Sequence, residues 1–487
     1  MRASRRPHRR IPAPEWQGLC LHCGLFVVIL SIWLATPSPS RALLCCGLIS
    51  LPGYLCMAWL ESRSAPLRLS PLSFYLVWYS IGLGVSAIYM GFQIEGGRYV
   101  SFSITQIAPQ DIVTGYVIFM LGSLMLHVGM RVRAPRAPAE GVTAPRAHSA
   151  FVFVLFALGL LYLMVPQVLA PLGNLGTVLS WGALAGLSIF AIHPYFRKAL
   201  GPRVFWTALS LGTFIVMAAE LRTDSKAYIM FSLLPVAWLF LLDKKLRRHL
   251  PVFICAAAVF YLGVVAPVIT VSRLTRAQRG EGIVQPILTM FSNYLDGKSV
   301  NSLPVNKHQL SNFLTRMFDP TPVGYFVEQV RRDGLLYGQT MTYMGYALIP
   351  RFLWPDKPDV TRGGWFDAYV GQAETPGSAT TSLGMTATGE LYWNFGTIGV
   401  LLGMLVIGLM EAELWRLAGP DPRGSPVRML LYVTQMLNMP NMPDAVTVVS
   451  GLVAAWLIYR TVLLFVEPHR RRVRRVQRRS YVYFPAK

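Results

Sequence analysis

The chain has 487 residues, of which 53% are hydrophobic and only 14% charged, with a mean hydropathy of +0.44. Soluble globular chains carry about 25% charged residues, so this balance excludes an ordinary soluble domain and indicates an integral membrane protein. The net charge of +22 does not signal nucleic-acid binding, because most of it sits at the termini and in short loops, where it serves as a topology signal.

Apolar runs of about 17–25 residues give about twelve candidate spans, at 18–35, 42–60, 72–94, 111–130, 149–170, 175–192, 203–220, 227–242, 250–271, 391–415, 427–440 and 445–466. The first follows Arg2, Arg5, Arg6, Arg9 and Arg10 and resembles a signal peptide, but a chain that continues at once into further spans predicts a retained helix. Five of the six cysteines (Cys20, Cys23, Cys45, Cys46, Cys56) fall in the first two runs. Cys20-Leu-His-Cys23 has metal-like spacing without a second pair, so these read as inert membrane cysteines and no metal site is assigned. The eleventh run is short and broken by Pro440 and Pro443.

Orientation follows from the basic residues. With the N-terminus cytoplasmic, Arg131, Arg133, Arg197, Lys198, Lys244, Lys245, Arg416 and the tail around Arg470–Arg479 all face inward. Roughly 29 basic residues then face in against about 4 facing out, which fixes both termini inside under the positive-inside rule. The expected fold is an all-α integral membrane protein of about 12 transmembrane helices, N-in/C-in, with one large periplasmic loop. Residues 1–271 carry the first nine spans, 272–390 the loop, 391–466 the last three spans and 467–487 a basic cytoplasmic tail.

Inside the loop, residues 322–333 predict an amphipathic helix capped by Thr321, with Pro322 in the first helical position and Gly334 after the last turn. Val323, Phe326, Val327 and Val330 form its apolar stripe, to lie on the membrane surface or on the helix bundle. Residues 338–349 predict a second short helix stopped before Pro350, and 355–384 an irregular, Gly- and Pro-rich stretch.

No Walker-type loop, Asp-x-Asp pair, His-Glu-x-x-His or Gly-x-Ser-x-Gly is present, so any reaction should need neither ATP nor a bound metal, and no cofactor is assigned. What remains is cationic. Arg222 and Lys226 lie in the outward turn between the seventh and eighth spans. Arg273, Arg276 and Arg279 follow the ninth, and Arg351, Lys357 and Arg362 stand in the loop. Guanidinium groups at the outer membrane surface suit bidentate binding of phosphate or diphosphate, and a lipid-linked diphosphate places its head group there. Snorkelling or a salt bridge to Glu220 or Asp224 is the plainer role for Arg222, and interfacial anchoring for the triplet. Glu390, where the loop re-enters the membrane beside Tyr392 and Trp393, is the best placed general base, although a carboxylate there also suits a helix N-terminus. His308 is an alternative base. Trp354, Trp365, Tyr369 and Trp393 could stack on sugar rings or form an interfacial aromatic belt.

The run Ile349-Pro-Arg-Phe-Leu-Trp-Pro-Asp-Lys-Pro358, with Gly389-Glu-Leu-Tyr-Trp-Asn-Phe-Gly396, Gly399 and the Arg222-Thr-Asp-Ser-Lys226 turn, resembles the O-antigen and exopolysaccharide repeat-unit polymerases (Wzy-type). The resemblance covers roughly residues 210–410 in motif and the whole chain in topology. It implies a GT-C-like inner-membrane glycosyltransferase that is metal-independent and inverting. Such enzymes move a growing glycan from undecaprenyl diphosphate to a lipid-linked repeat unit, with periplasmic arginines as functional residues. By position Arg222 and one of Arg273, Arg276 and Arg279 match those arginines, and Arg351 matches through the Pro-Arg-x-x-Trp-Pro run; with Glu390 from the residue reading above, Arg222, Arg276, Arg351 and Glu390 are the catalytic candidates. Lys226, Arg273, Arg279, Lys357, Arg362, Trp354 and Tyr392 are the substrate-binding ones. The implied partners are undecaprenyl-diphosphate-linked oligosaccharides, the lipid bilayer, a chain-length regulator (Wzz-type) and a flippase, with no nucleic acid. An O-antigen ligase shares the architecture and the donor. A lipid-glycan flippase is the reading from another class, against which stands the lack of two matching halves.

Overall fold

A computed structural model describes residues 14–65, 67–98, 100–102, 105–133, 149–165, 181–220, 226–266, 269, 309–349, 354, 362–371, 373–375, 384–419, 421–439 and 442–466. The described chain is helical almost throughout; its one described sheet is a two-stranded hairpin, β1 (Val100–Phe102) with β2 (Thr105–Ile107), with Val100 opposite Ile107. Backbone polar groups in a bilayer must be satisfied within the segment, which is why apolar runs of this length settle as helices.

Eight described helices are long and apolar enough to cross a membrane, consistent with an all-α membrane protein. They include α1 (Pro14–Ala35), α2 (Pro39–Ser64), α3 (Pro71–Glu95) and α4 (Pro109–Arg133). Of the fifth and sixth expected spans, the described residues form α5 (Ser149–Met164) and α6 (Gly182–Ile192). The seventh lies in α7 (Pro194–Glu220), which kinks where Gly201 takes φ 72° ahead of Pro202. The eighth is divided into α8 (Lys226–Phe231) and α9 (Leu234–Leu242), with Pro235 in the first turn of α9. Then comes α10 (Leu250–Phe260), which continues as a π-helical turn to Val265. The division between α8 and α9 takes that stretch below the length criterion, whereas α7 and the α10 segment meet it despite their kink and π-helical turn.

The loop contributes α11 (Gln309–Arg316) and α12 (Pro320–Asp333), then α13 (Tyr343–Leu348) and α14 (Arg362–Tyr369). The chain closes with α15 (Ala387–Ala418), α16 (Pro426–Asn438) and α17 (Ala445–Val466). Helix α12 begins earlier than expected. Pro320 takes the first helical position and Asp319 the cap position, without a side-chain cap bond, so Thr321 is not the cap. Gly334, at φ 84°, ends it as expected.

Of the two expected placements, α12 takes the helix bundle. Its residues from Pro320 to Val327 are all buried, and α11 and α12 form a hairpin driven into the bundle. Ser311 of α11 meets the Tyr89 hydroxyl of α3 at 2.5 Å, and Phe318 at the tip stacks on Tyr116 of α4 with ring centroids 6.1 Å apart. The backbones of α4 and α12 touch at Gly115 and Gly324, where a Cβ on Gly115 would lie 2.5 Å from the Gly324 nitrogen. Only glycine permits that approach. At the mouth of the hairpin Arg331 makes a bidentate pair with buried Asp111, at 3.0 and 2.6 Å. Asp319, at the tip, is partly exposed but surrounded by protein, and that burial pushes its carboxyl up to about 7.

Candidate functional site

The Gly389–Gly396 motif is the first, separate part of α15. Gly396 takes φ 63°, ψ −154° and breaks the helix there. A break withdraws the amide partners of the preceding carbonyls, and two of these carbonyls are taken up by the loop: Leu336 N–H donates to Trp393 O at 3.1 Å and Tyr337 N–H to Asn394 O at 2.9 Å. The short helix starts at Thr386, which sits at φ 59° and accepts from Gly389 N–H at 3.1 Å. A threonine held at positive φ is strained, and the neighbouring structure must hold it there.

One turn into this helix lies Glu390, with no exposed surface. Its Oε1 accepts from Thr340 Oγ at 2.7 Å and from Arg362, with which it forms a buried ion pair. Its Oε2 accepts from the backbone N–H groups of Ala445 at 2.8 Å and Val446 at 3.3 Å. Those amides open α17, so the carboxylate also caps the positive end of the last helix. Asn394 donates to Thr340 Oγ at 2.7 Å and to Glu390 O at 2.8 Å, fixing both groups.

Arg362, at the start of α14, is 5% exposed. Its guanidinium carbon stands 4.8 Å from the Trp365 ring centroid and 5.0 Å from that of Tyr343, close enough for cation–π attraction. Only one edge of the guanidinium is used: Nε and Nη1 are buried and make no hydrogen bond. Buried donors left open are costly, so these two atoms mark a place for an acceptor. The wall beyond is aromatic. Trp365 stacks on Tyr369 at 5.6 Å, Tyr369 meets Trp393 at 5.1 Å, and Trp393 stacks on Phe326 at 4.6 Å.

Of the residues singled out from sequence, this arrangement brings together Glu390 and Arg362, with Trp365, Tyr369 and Trp393 alongside. Glu390 does not have the bonding of a free base, because both its oxygens are already occupied. Tyr392 points elsewhere, within electrostatic reach of Asp111. Trp354 lies against Tyr346, with ring centroids 5.8 Å apart. Arg222, Arg273, Arg276, Arg279, His308, Arg351 and Lys357 lie outside the described residues, and Lys226 is described only as the first residue of α8. Sequence reasoning missed Thr340, Asn394 and the amides of α17. The spacing of Asn394, one helical turn after Glu390, was the available signal for the second of these. Among the described residues no group of three or more His, Cys, Asp or Glu side chains is placed to hold a metal ion.

Comparison of the chain with protein-family models, with curated proteins and with solved structures gives no match.

Proposed function

We propose that the chain is a repeat-unit polymerase of polysaccharide biosynthesis. It would be a metal-independent, inverting glycosyltransferase in the bacterial inner membrane, with about twelve spans, both termini cytoplasmic and the loop periplasmic. It moves a growing glycan from undecaprenyl diphosphate to the sugar hydroxyl of a lipid-linked repeat unit. The observation that carries this reading is the Arg362 guanidinium, held by Glu390 on one edge and open on the other, beneath aromatic rings.

In the reaction the acceptor oxygen attacks the anomeric carbon, the bond from that carbon to the diphosphate oxygen breaks, and the acceptor's proton passes to a base. Negative charge grows on the departing diphosphate, where a fixed guanidinium stabilises it without reorganisation. Glu390 acts through Arg362 as a positioning residue. Trp365 and Tyr369 offer ring faces to sugar, and Arg222 and Arg276 would add further cationic contacts to the diphosphate.

The test is a deletion strain complemented with variants and examined for polymer length. Loss of one donor of this kind lowers the rate about 10²–10³-fold. Arg362→Lys, Arg222→Ala and Arg276→Ala should therefore each abolish long polymer while the protein stays in the membrane. Normal length in all three would sink the assignment. A deletion strain that still makes long polymer but leaves it unattached would instead assign the chain to the ligases.

A further inference from the structure

The interior of α1, α2 and α4 holds a row of buried polar side chains, hydrogen-bonded from His127 through His22 and Tyr54 to Ser123. His22, Tyr54 and His127 are 0% exposed, Ser123 1% and Glu61 2%. His22 Nδ1 lies 3.0 Å from His127 Nδ1, and His22 Nε2 lies 3.2 Å from the Tyr54 hydroxyl. That hydroxyl is 2.9 Å from Ser123 Oγ, with Met120 Sδ at 3.3 Å. At the other end His127 Nε2 stands 3.6 Å from Glu61 Oε1, and Glu61 is ion-paired with Arg131.

Protons can be assigned to this row in one consistent direction. Ser123 donates to Tyr54, Tyr54 to His22 Nε2 and His22 Nδ1–H to His127 Nδ1, which leaves His127 Nε2–H facing Glu61 Oε1 across 3.6 Å, a gap that must close by a few tenths of an ångström for the proton to cross. Each imidazole then carries one proton and accepts one bond, as neutral histidine requires. The opposite assignment is equally complete once Glu61 is protonated. Ionisable side chains inside a membrane are costly, face the bundle interior and mark ion and proton pathways.

The row continues toward the α11–α12 hairpin. The Tyr75 hydroxyl lies beside those of Ser123 and Tyr79, and the Tyr75 and Tyr79 rings are 4.1 Å apart. Asp319, at the hairpin tip, lies within electrostatic reach of both tyrosines. The Tyr75 hydroxyl is buried and makes no hydrogen bond, so it is the link that must swing to complete the path. The α3 helix turns π-helical over Ser80–Ser86 directly alongside, where the Met317 carbonyl packs against Gly82 and Tyr116 donates to Leu83 O at 2.7 Å.

We propose that this row is a proton path through the membrane, joining Asp319 at the hairpin tip to Glu61 and Arg131 at the opposite end of the bundle. From the level of Tyr116 to Arg131 it covers roughly 22 Å of helix at 1.5 Å per residue, most of a hydrocarbon core of about 30 Å. In one passage Asp319–COOH gives its proton to the tyrosine hydroxyls, and each atom passes on the proton it holds. Glu61 receives the last one and both histidines are left as the opposite tautomer. Glu61 then releases its proton at its own end of the bundle and Asp319 takes up another, which restores the Glu61–Arg131 pair; reorientation of the hydroxyls and rings resets the row, and no electron moves. The inference rests on the helices spanning a bilayer and not on the polymerase reading.

The experiment uses the full-length chain reconstituted in phosphatidylcholine vesicles that enclose a pH-sensitive dye, with a potassium diffusion potential as the driving force. Wild-type vesicles should acidify at least tenfold faster than protein-free vesicles. His127→Phe, Asp319→Asn and Tyr54→Phe should fall to the protein-free rate, while Tyr459→Phe, a buried tyrosine elsewhere, keeps the wild-type rate. Tyr54→Phe removes a single oxygen and decides the matter if His127→Phe does not fold. Wild-type flux no faster than protein-free vesicles overturns the proposal, as does wild-type flux in both Tyr54→Phe and Asp319→Asn.

Discussion

Glu390→Gln tests whether the Glu390 carboxylate holds the loop, α15 and α17 together. The carboxylate accepts from Thr340 and Arg362 on one oxygen and from Ala445 and Val446 on the other. Glutamine keeps the shape but has one oxygen and one NH2 group. If its oxygen faces Arg362, the NH2 confronts the two α17 amides; if it turns round, the NH2 confronts the guanidinium. Either way buried donors are orphaned, at about 1–3 kcal/mol each, and the Arg362 charge loses its counter-ion. Breaking a buried pair from one side costs about 3–5 kcal/mol in total. The entropy of unfolding scales with chain length and comes to about 1 kcal/mol/K at this size, so the midpoint of thermal unfolding in detergent should fall by roughly 3–5 °C. Tryptophan fluorescence reads that transition. Glu95→Gln, at an exposed carboxylate, should move it by less than about 1 °C. Adding Arg362→Met to Glu390→Gln should cost less than the sum of the two single changes, because each removes the other's unpaired charge. A Glu390→Gln protein that unfolds within a degree of the wild type would refute this account.

Three further outcomes follow from the geometry. Gly396→Ala places a Cβ at φ 63° and should cost about 1–2 kcal/mol, read as a lower unfolding midpoint, whereas Gly451→Ala, where a Cβ meets nothing within 4 Å, should not lower it. Gly115→Val drives side-chain atoms into the Gly324 backbone and should lift α12 from α4, read as new protease cutting between residues 309 and 333. Asp319 carries a pH effect. Its folded carboxyl is raised to about 7, so the folded state holds the proton longer than the unfolded one. Stability is then fullest below about pH 4 and declines as pH rises through 7, relative to Asp319→Asn, by no more than about 4 kcal/mol for a three-unit shift. A difference between wild type and Asp319→Asn that stays flat between pH 4 and 8 would contradict the buried placement.

The apolar runs gave the class of fold and most helix positions, because hydrophobic length is a local property that each segment displays alone. Where a run misled, the cause was also local but subtler: the short α8 and the Pro235 that opens α9 divide the 227–242 stretch that hydropathy treats as continuous. The site was half legible. Glu390 and Arg362 stood out as charges beside membrane, yet 28 residues separate them and nothing in their spacing pairs them. Still less does sequence show that the second oxygen of Glu390 caps a helix that begins at Ala445. The same limit explains the polar row. His22, Tyr54, Ser123 and His127 each look like an isolated polar residue in an apolar helix, and periodicity has no means of showing that three helices turn them toward one another. A side chain that is costly by itself becomes tolerable only in company, and the company is tertiary. Hydropathy therefore reads most reliably the residues that lipid or neighbouring apolar side chains would accept anyway. It is weakest for the buried polar groups, whose cost implies a partner without naming it.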